Sequence, residues 1–328
     1  MGRQYGLLAA ELMTDVLDYL DSALAGNPEK IAEADDIARK LFEHYPDYLK
    51  EFFDGMSETS AIPIERLKLC NACEYVEGCF LCSAMAVWDG YTDGKLIFGR
   101  NYDAAHYSEI ERDIVVTVYH PDDGQAAATV GYAGEIYCVN GMNESGLFIE
   151  LNNGMPSAGT DIHWDIRPST TELFDQLFKA RSLDDLDRFF NGTRSFASFI
   201  IGVADRSEAR SYEWCWDGVR RSDPATPDGL MVSTNHYVNK GWPYPLPPDA
   251  DCWDSISRRC NILDRAEESK GLMDIQKVKD ITSTPLEYGG PRHTLTRYQI
   301  VAVPEDLTLH ICLPSNSGWS EVDLSTIF

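Results

Sequence analysis

A thiol at the head of a hairpin is the feature that most constrains this chain of 328 residues. Over 82–103 it reads CSAMAVWDGYTDGKLIFGRNYD. Cys82, Ala84, Ala86 and Trp88 alternate with Ser83, Met85 and Val87, a pattern that suits a strand buried on both faces. Asp89, Gly90, Asp93 and Gly94 supply turn chemistry, and Lys95 to Gly99 reads as the returning strand. Antiparallel pairing brings the two ends together, so Cys82 is expected beside Arg100, Asn101 and Asp103. One nucleophile then stands next to a cation, an amide and a carboxylate. The bland alternative is an ordinary core cysteine, which is usually inert.

Length allows one large domain or two small ones. Apolar residues make up 44%, as in a globular protein, and no run of apolar residues is long enough to span a bilayer. The opening stretch MGRQYGLLAAELMTDVLDYL carries acids inside its apolar part, unlike a secretory signal. Gly6 stands where a myristoylation signal needs Ser or Thr. A net charge of -25 argues against nucleic-acid or anionic-membrane partners, which are gripped through Lys and Arg. Nine cysteines, at 70, 73, 79, 82, 138, 215, 252, 260 and 312, are an odd number without a visible leader. That points to reduced thiols in a cytoplasm.

Residues 1 to about 75 read as helical and acidic. Leu7, Leu8, Leu12, Met13, Val16, Leu17 and Leu20 recur at helical spacing. Asn27-Pro28-Glu29 caps and starts a second helix, Tyr45-Pro46 interrupts it, and Leu49, Phe52 and Phe53 resume the pattern. A short helix is expected from about Pro63 to Cys70. Strands then dominate, at 114–119, 126–132, 135–140, 147–151, 198–204, 210–216, 230–234, 296–303 and 307–313. Helices are expected over 169–178, 183–190, 254–263 and 273–281.

Cys70-x2-Cys73-x5-Cys79-x2-Cys82 sets up a competing use of the same thiols, since paired CxxC units bind zinc or iron–sulfur clusters. The central gap is short for a zinc ribbon, and the cluster straddles a predicted helix and a predicted strand. A non-enzymatic, metal-stabilised binding module is therefore the minor alternative. The seven histidines show no ligand spacing, and no cofactor or metal is expected in the main reading.

Four islands of sequence carry a resemblance. Cys-Ser-x-x-Ala-Val at 82–87 and Asp-Gly-x-Leu-x-x-Gly-Arg-Asn-x-Asp at 93–103 resemble the start of the catalytic chain in N-terminal-nucleophile (Ntn) hydrolases. The similar branch is that of penicillin acyltransferase, choloylglycine (bile salt) hydrolase and acid ceramidase. The self-processing acyl-CoA:6-aminopenicillanic acid acyltransferase group is nearest. Asn143-Glu144-Ser145-Gly146-Leu147 resembles the family's Asn-Glu-x-Gly-Leu turn, Thr234-Asn235 its Thr-Asn segment, and Ser255-Ile256-Ser257-Arg258 its Ser-x-x-Arg element.

The resemblance implies an α+β fold, a four-layer αββα sandwich. It also implies a helical pro-segment, 1–81, cut autocatalytically from a catalytic domain, 82–328; residues 64–72 resemble the last leader helix. Leu81 stands where the acyltransferase has Gly, and Cys79 after Gly78 is a rival register for the cut. The expected activity is hydrolysis or acyl transfer on a linear, non-peptide amide through a thioester on Cys82. A phospholipase B-like lipid acyl hydrolase is the alternative on the same fold.

By that resemblance, Asn235 and the backbone N–H of Asn153 form the oxyanion hole, with Asn152 as a shifted rival. Arg258 reaches the site, with Arg259 as its rival. The α-amine freed on Cys82, with a pKa of roughly 7.7–8.0, would be the base. Asp103 would hold that amine, and Arg100 would favour the thiolate. A papain-like set of Cys82, His236 and Asn235 fails, because neighbours on a strand face opposite ways. Trp88, Tyr102, Tyr107, Trp164 and Tyr237 are candidates for an acyl pocket. The partner is a small acyl amide, and self-assembly stays open.

Overall fold

A computed structural model describes residues 1–77, 81–105, 108–316 and 318–328. Four helices come first: α1 (Gly2–Leu24), α2 (Pro28–Glu43), α3 (Asp47–Ser60) and α4 (Ile64–Glu77). Asn27 caps α2 by accepting the Lys30 N–H at 3.1 Å, with Pro28 at its first position. Helix α1 crosses α3 almost backbone to backbone. A Cβ on Gly6 would overlap Thr59 Oγ1 and lie 2.5 Å from the Met56 carbonyl oxygen, so the crossing requires glycine.

Two antiparallel sheets make the body of the molecule. Strands β1 (Ser83–Val87), β2 (Ile97–Asp103), β10 (Leu230–Ser233), β11 (Thr296–Val303), β12 (Thr308–Cys312) and β13 (Trp319–Asp323) form a six-stranded sheet. Its order is β10-β1-β2-β11-β12-β13. The seven-stranded sheet runs in chain order through β3 (Ile114–Tyr119), β4 (Ala127–Tyr132), β5 (Asn140–Asn143), β6 (Phe148–Asn153), β7 (Phe199–Ala204), β8 (Ala209–Cys215) and β9 (Gly218–Ser222). The inner faces meet where Phe98 packs on Phe148, ring centroids 4.9 Å apart.

Helices cover both outer faces. Ile262 of α8 (Ser255–Glu268) and Val278 and Ile281 of α9 (Ile275–Ser283) pack on Met85, Val87, Ile97 and Val301 of the six-stranded sheet. On the other side, α6 (Ser169–Lys179) seats Leu177 against Gly141 of β5, where a Cβ would lie 2.6 Å from Leu177 Cδ1. A short α5 (Met155–Ala158) and α7 (Leu183–Phe190) complete the set. The result is the expected four-layer αββα sandwich. Helices α1–α4 are continuous with it: Met13, Leu41, Phe53 and Leu67 share one apolar cluster with Val130, Phe148 and Leu177.

Three departures from the sequence expectations have physical causes. The strand expected over 135–140 starts only at Asn140, because polar groups before it are satisfied outside the ladder. Glu135 accepts the Tyr132 N–H at 2.8 Å; Asn71 of α4 donates to Gly134 O at 2.7 Å and accepts from Ile136 N at 2.9 Å. Strands β9 and β13 were not expected. Both sit at sheet edges and are partly exposed and charged, so they lack apolar alternation. Helix α4 runs to Glu77 rather than stopping near Cys70. Among the described residues, no helix is long and apolar enough to cross a membrane.

Candidate active site

The β1–β2 hairpin has the register that the alternation calls for. Ser83 lies opposite Asn101 and Ala84 opposite Arg100, and the Leu81 N–H donates to Asp103 O at 2.9 Å. Cys82 is therefore held opposite the end of β2. Its thiol is 1% exposed and shares the face between the sheets with Ala84 and Tyr102. Arg100 Nη2 donates to Cys82 Sγ at 3.4 Å. Asn101 corrects one expectation: period 2 turns it to the outer face, where its amide donates to Thr282 O of α9 at 3.1 Å and accepts from Gln299 at 2.7 Å. It holds the sheet to its helix and does not join the thiol.

Asp103 also lies off the thiol's face. Its Oδ1 accepts from Thr296 Oγ1 at 2.5 Å. Its Oδ2 is buried without a hydrogen-bond donor among the described residues, 3.7 Å from Arg258 Nη1. Burial pushes this carboxyl above the usual range, with Arg258 and Thr296 opposing.

Arg258 is brought in by the way α8 begins. Trp253 and Asp254 both take the left-handed conformation, φ 57° each, and Asp249 Oδ1 caps the helix by accepting Ile256 N–H at 2.8 Å. One turn in, Arg258 points inward fully buried, while Arg259 is only half-buried. Arg258 Nη1 donates to Leu81 O at 2.6 Å and to Cys82 O at 2.8 Å, and Nη2 to Asn235 Oδ1 at 2.7 Å. One guanidinium thus spans the carbonyl on each side of the Cys82 nitrogen.

Asn235 follows β10, and its Nδ2 donates to Asn153 O at 2.8 Å. Leu151 N bonds Val139 O, while Gly154 N bonds Ser198 O across the other side of β6. By alternation the Asn153 N–H faces the side where β5 has run out, beside Val139. Asn152, its rival, is engaged elsewhere: its amide bonds Arg100 Nη1, Glu150 and Ser233.

Beside Cys82 lies a cavity of about 20 Å³, lined by Tyr75, Tyr102, Val139, Leu151, Met155 and Phe199 among others. It is large enough for little more than a water. Of the aromatic candidates only Tyr102 reaches it; Trp88, Trp164 and Tyr237 do not, and Tyr107 lies outside the described residues. Burial pushes the Cys82 thiol up to about 12, with Arg100 opposing and Asp103 adding. The Cys82 nitrogen is a peptide nitrogen, bonded to the Leu81 carbonyl carbon.

Cys70 lies in α4 with its Sγ against Gly134. The Cys73 side chain and Cys79 lie outside the described residues, and so does the rival register at Cys79. Among the described residues, no group of three or more His, Cys, Asp or Glu side chains is placed to hold a metal. Glu150, Ser233, Ser255 and Thr296 were not singled out from sequence. For Ser255 a signal existed, since it opens the Ser-x-x-Arg element; its Oγ accepts the Asn235 N–H at 2.7 Å.

No family model and no curated protein sequence matches this chain. Solved structures match it in fold. An N-acylethanolamine-hydrolyzing acid amidase ortholog from Caenorhabditis elegans aligns with TM-score 0.56 at 17% identity, over 68% of this chain and 93% of its own. An arginine-to-leucine variant of conjugated bile acid hydrolase from Clostridium perfringens aligns with TM-score 0.55 at 13% identity, over 75% and 93%. The cysteine-to-alanine variant of that hydrolase gives 0.53 at 14% identity, again over 75% and 93%. At such identities the likeness is one of fold: the chain has the αββα sandwich of these proteins, the Ntn-hydrolase fold that its motifs imply.

Proposed function

We propose that this protein is a self-processing amide hydrolase whose nucleophile is Cys82, made N-terminal by a cut after Leu81. The observation that carries this reading is the pair of arginines around one residue. Arg100 stands at the Cys82 thiol, and Arg258 grips the Leu81 carbonyl that the thiol would attack. The shared fold supports it, since its structural neighbours are named as an acid amidase and a bile acid hydrolase.

In the cut, Sγ bonds to the Leu81 carbonyl carbon, the Leu81–Cys82 C–N bond breaks and the thiol proton passes to the leaving nitrogen. This leaves a thioester and a free amine on Cys82. Water then hydrolyses the thioester, releasing the Leu81 carboxylate and restoring the thiol. Arg258 lies where the negative charge develops on the Leu81 oxygen, with its hydrogen bond already made. Asp103 Oδ2, which has no hydrogen-bond donor among the described residues, is the acceptor for the new amine. The amine, titrating at about 7.7–8.0, serves as the base the buried thiol lacks.

Turnover repeats the chemistry on an external amide. Sγ adds to the acyl carbonyl, the amine takes the thiol proton and passes it to the leaving amine, and water or another amine resolves the thioester. Asn235 Nδ2 and the Asn153 N–H hold the oxyanion, which replaces the Asn153 carbonyl as the acceptor for Nδ2. The cavity is too small for an acyl chain, so the uncut chain is read as a closed zymogen, with Tyr75 of α4 forming part of the cavity wall. Its apolar lining favours an apolar acyl group. After the cut the two pieces stay together, because they share one core.

The test is amine release from a series of N-acyl amides of increasing chain length by the cut protein. Activity that rises with acyl length and is abolished in Cys82→Ala supports the reading. A cut protein that leaves every such amide intact would sink the hydrolase assignment.

A further inference from the structure

The two sheets are joined beside the thiol by a buried charge pair, and the mechanism above uses only one member of it, Arg100. Glu150 of β6 and Arg100 of β2 are both fully buried, and the carboxylate contacts Arg100 Nη1. Asn152 Nδ2 and Ser233 Oγ donate to Glu150 Oε1 at 3.1 and 3.2 Å. Arg100 is in turn held by three successive residues of β6. Besides the Glu150 carboxylate, Asn152 Oδ1 accepts from Nη1 at 2.7 Å and Leu151 O accepts from Nη2 at 2.7 Å. Nη2 is the nitrogen that also faces Cys82 Sγ at 3.4 Å.

Room for the carboxylate is built into the opposite strand. Gly202 of β7 pairs directly with Glu150. A Cβ at Gly202 would overlap Glu150 Oε1 and lie 3.0 Å from Phe98 Cζ. A guanidinium is poorly tolerated between two sheets without an opposing charge, and a carboxylate there needs the same. Neither group is explained by the core alone.

We infer that Glu150 is a positioning residue, which holds the Arg100 guanidinium with one edge against the Cys82 thiol. The inference rests on Cys82 being the nucleophile. The pair acts on the thiol in two ways that oppose each other. Arg100 in place favours the thiolate, while the negative charge of Glu150 disfavours it. Burial brings the Glu150 carboxyl up to about 7, against the pull of Arg100. Glutamine at this position separates the two effects, since it keeps an acceptor for Nη1 and carries no charge.

The experiment follows oxidation of Cys82 by hydrogen peroxide, a probe little larger than the water that the cavity beside the thiol admits, read as the oxygens added to the mass of the peptide that carries it, in a double-mutant cycle. It needs no substrate, and the same spectra report whether the chain is cut, so failure of the hydrolase reading leaves it readable. Arg100→Gln is expected to slow this oxidation by about tenfold, as loss of an opposite charge beside a thiolate does. The same slowing is expected in a Glu150→Gln background. In Glu150→Ala it should shrink below about twofold, because the two substitutions then act through one contact. An undiminished effect of Arg100→Gln in Glu150→Ala overturns the inference. Should Glu150→Ala not fold, Glu150→Gln alone decides. Faster oxidation than wild type supports a held Arg100 freed of its counter-charge; an equal or slower rate overturns it.

Discussion

Arg258 Nη2 donates to Asn235 Oδ1 at 2.7 Å, and that contact decides which way the Asn235 amide faces. With the oxygen claimed, Nδ2 is the end turned toward Asn153. Three residues before Arg258 on the same helix, Ser255 accepts the Asn235 backbone N–H. Helix α8 therefore grips both the backbone and the side chain of one residue.

The first prediction follows from this clamp. Asn235→Asp keeps an oxygen for Arg258 and removes the Nδ2 donor. It should fold, with a melting temperature near wild type, and lose amide turnover by about 10²–10³-fold, as expected for one oxyanion donor. Turnover within twofold of wild type would remove Asn235 from the oxyanion hole.

The second prediction concerns acid stability. His236 Nδ1 lies 2.8 Å from Ser255 Oγ, and burial, with Arg259 and Arg258 adding, pulls the imidazole down to about 4. The unfolded chain takes up this proton near pH 6.5 and the folded chain only near 4. Stability from a neutral His236 is thus fully present above pH 6.5 and is lost as pH falls to 4, a drop on the order of 3 kcal/mol. His236→Asn, which can still bond Ser255, should flatten that dependence in urea denaturation at pH 7, 5.5 and 4. Parallel pH profiles for the two proteins would contradict the assignment.

The third prediction tests the packing of α1 on α3. Gly6→Ala forces a methyl into Thr59 and the Met56 carbonyl, so it should destabilise by about 1–3 kcal/mol. Thermal unfolding reads this directly. An unchanged midpoint would mean that α1 and α3 do not cross this closely.

Sequence reasoning reached the hairpin because strand alternation is local. The spacing from Cys82 to Arg100 carries the register without knowledge of the rest of the chain. Asn101 was misplaced for the same reason: alternation says it faces away from Arg100, but not that α9 waits on that side. Glu150 in FIELNN looks like the polar member of a half-exposed strand, and only the packing of a second sheet against β6 makes it a partner of Arg100. The choice between Arg258 and Arg259 depends on which face α8 turns inward, which is set by contacts far along the chain. Strands β9 and β13 were invisible because edge strands are selected against the apolar signal that betrays inner ones.

The most direct test of the account is the intact mass of the purified chain under denaturing conditions, beside a Cys82→Ala variant. The account predicts two fragments in wild type, one ending at Leu81 and the other beginning at Cys82, and one uncut chain in the variant. A wild-type protein that hydrolyses amides while remaining a single chain would contradict it. So would a cut that persists in Cys82→Ala, or one that falls before Cys79.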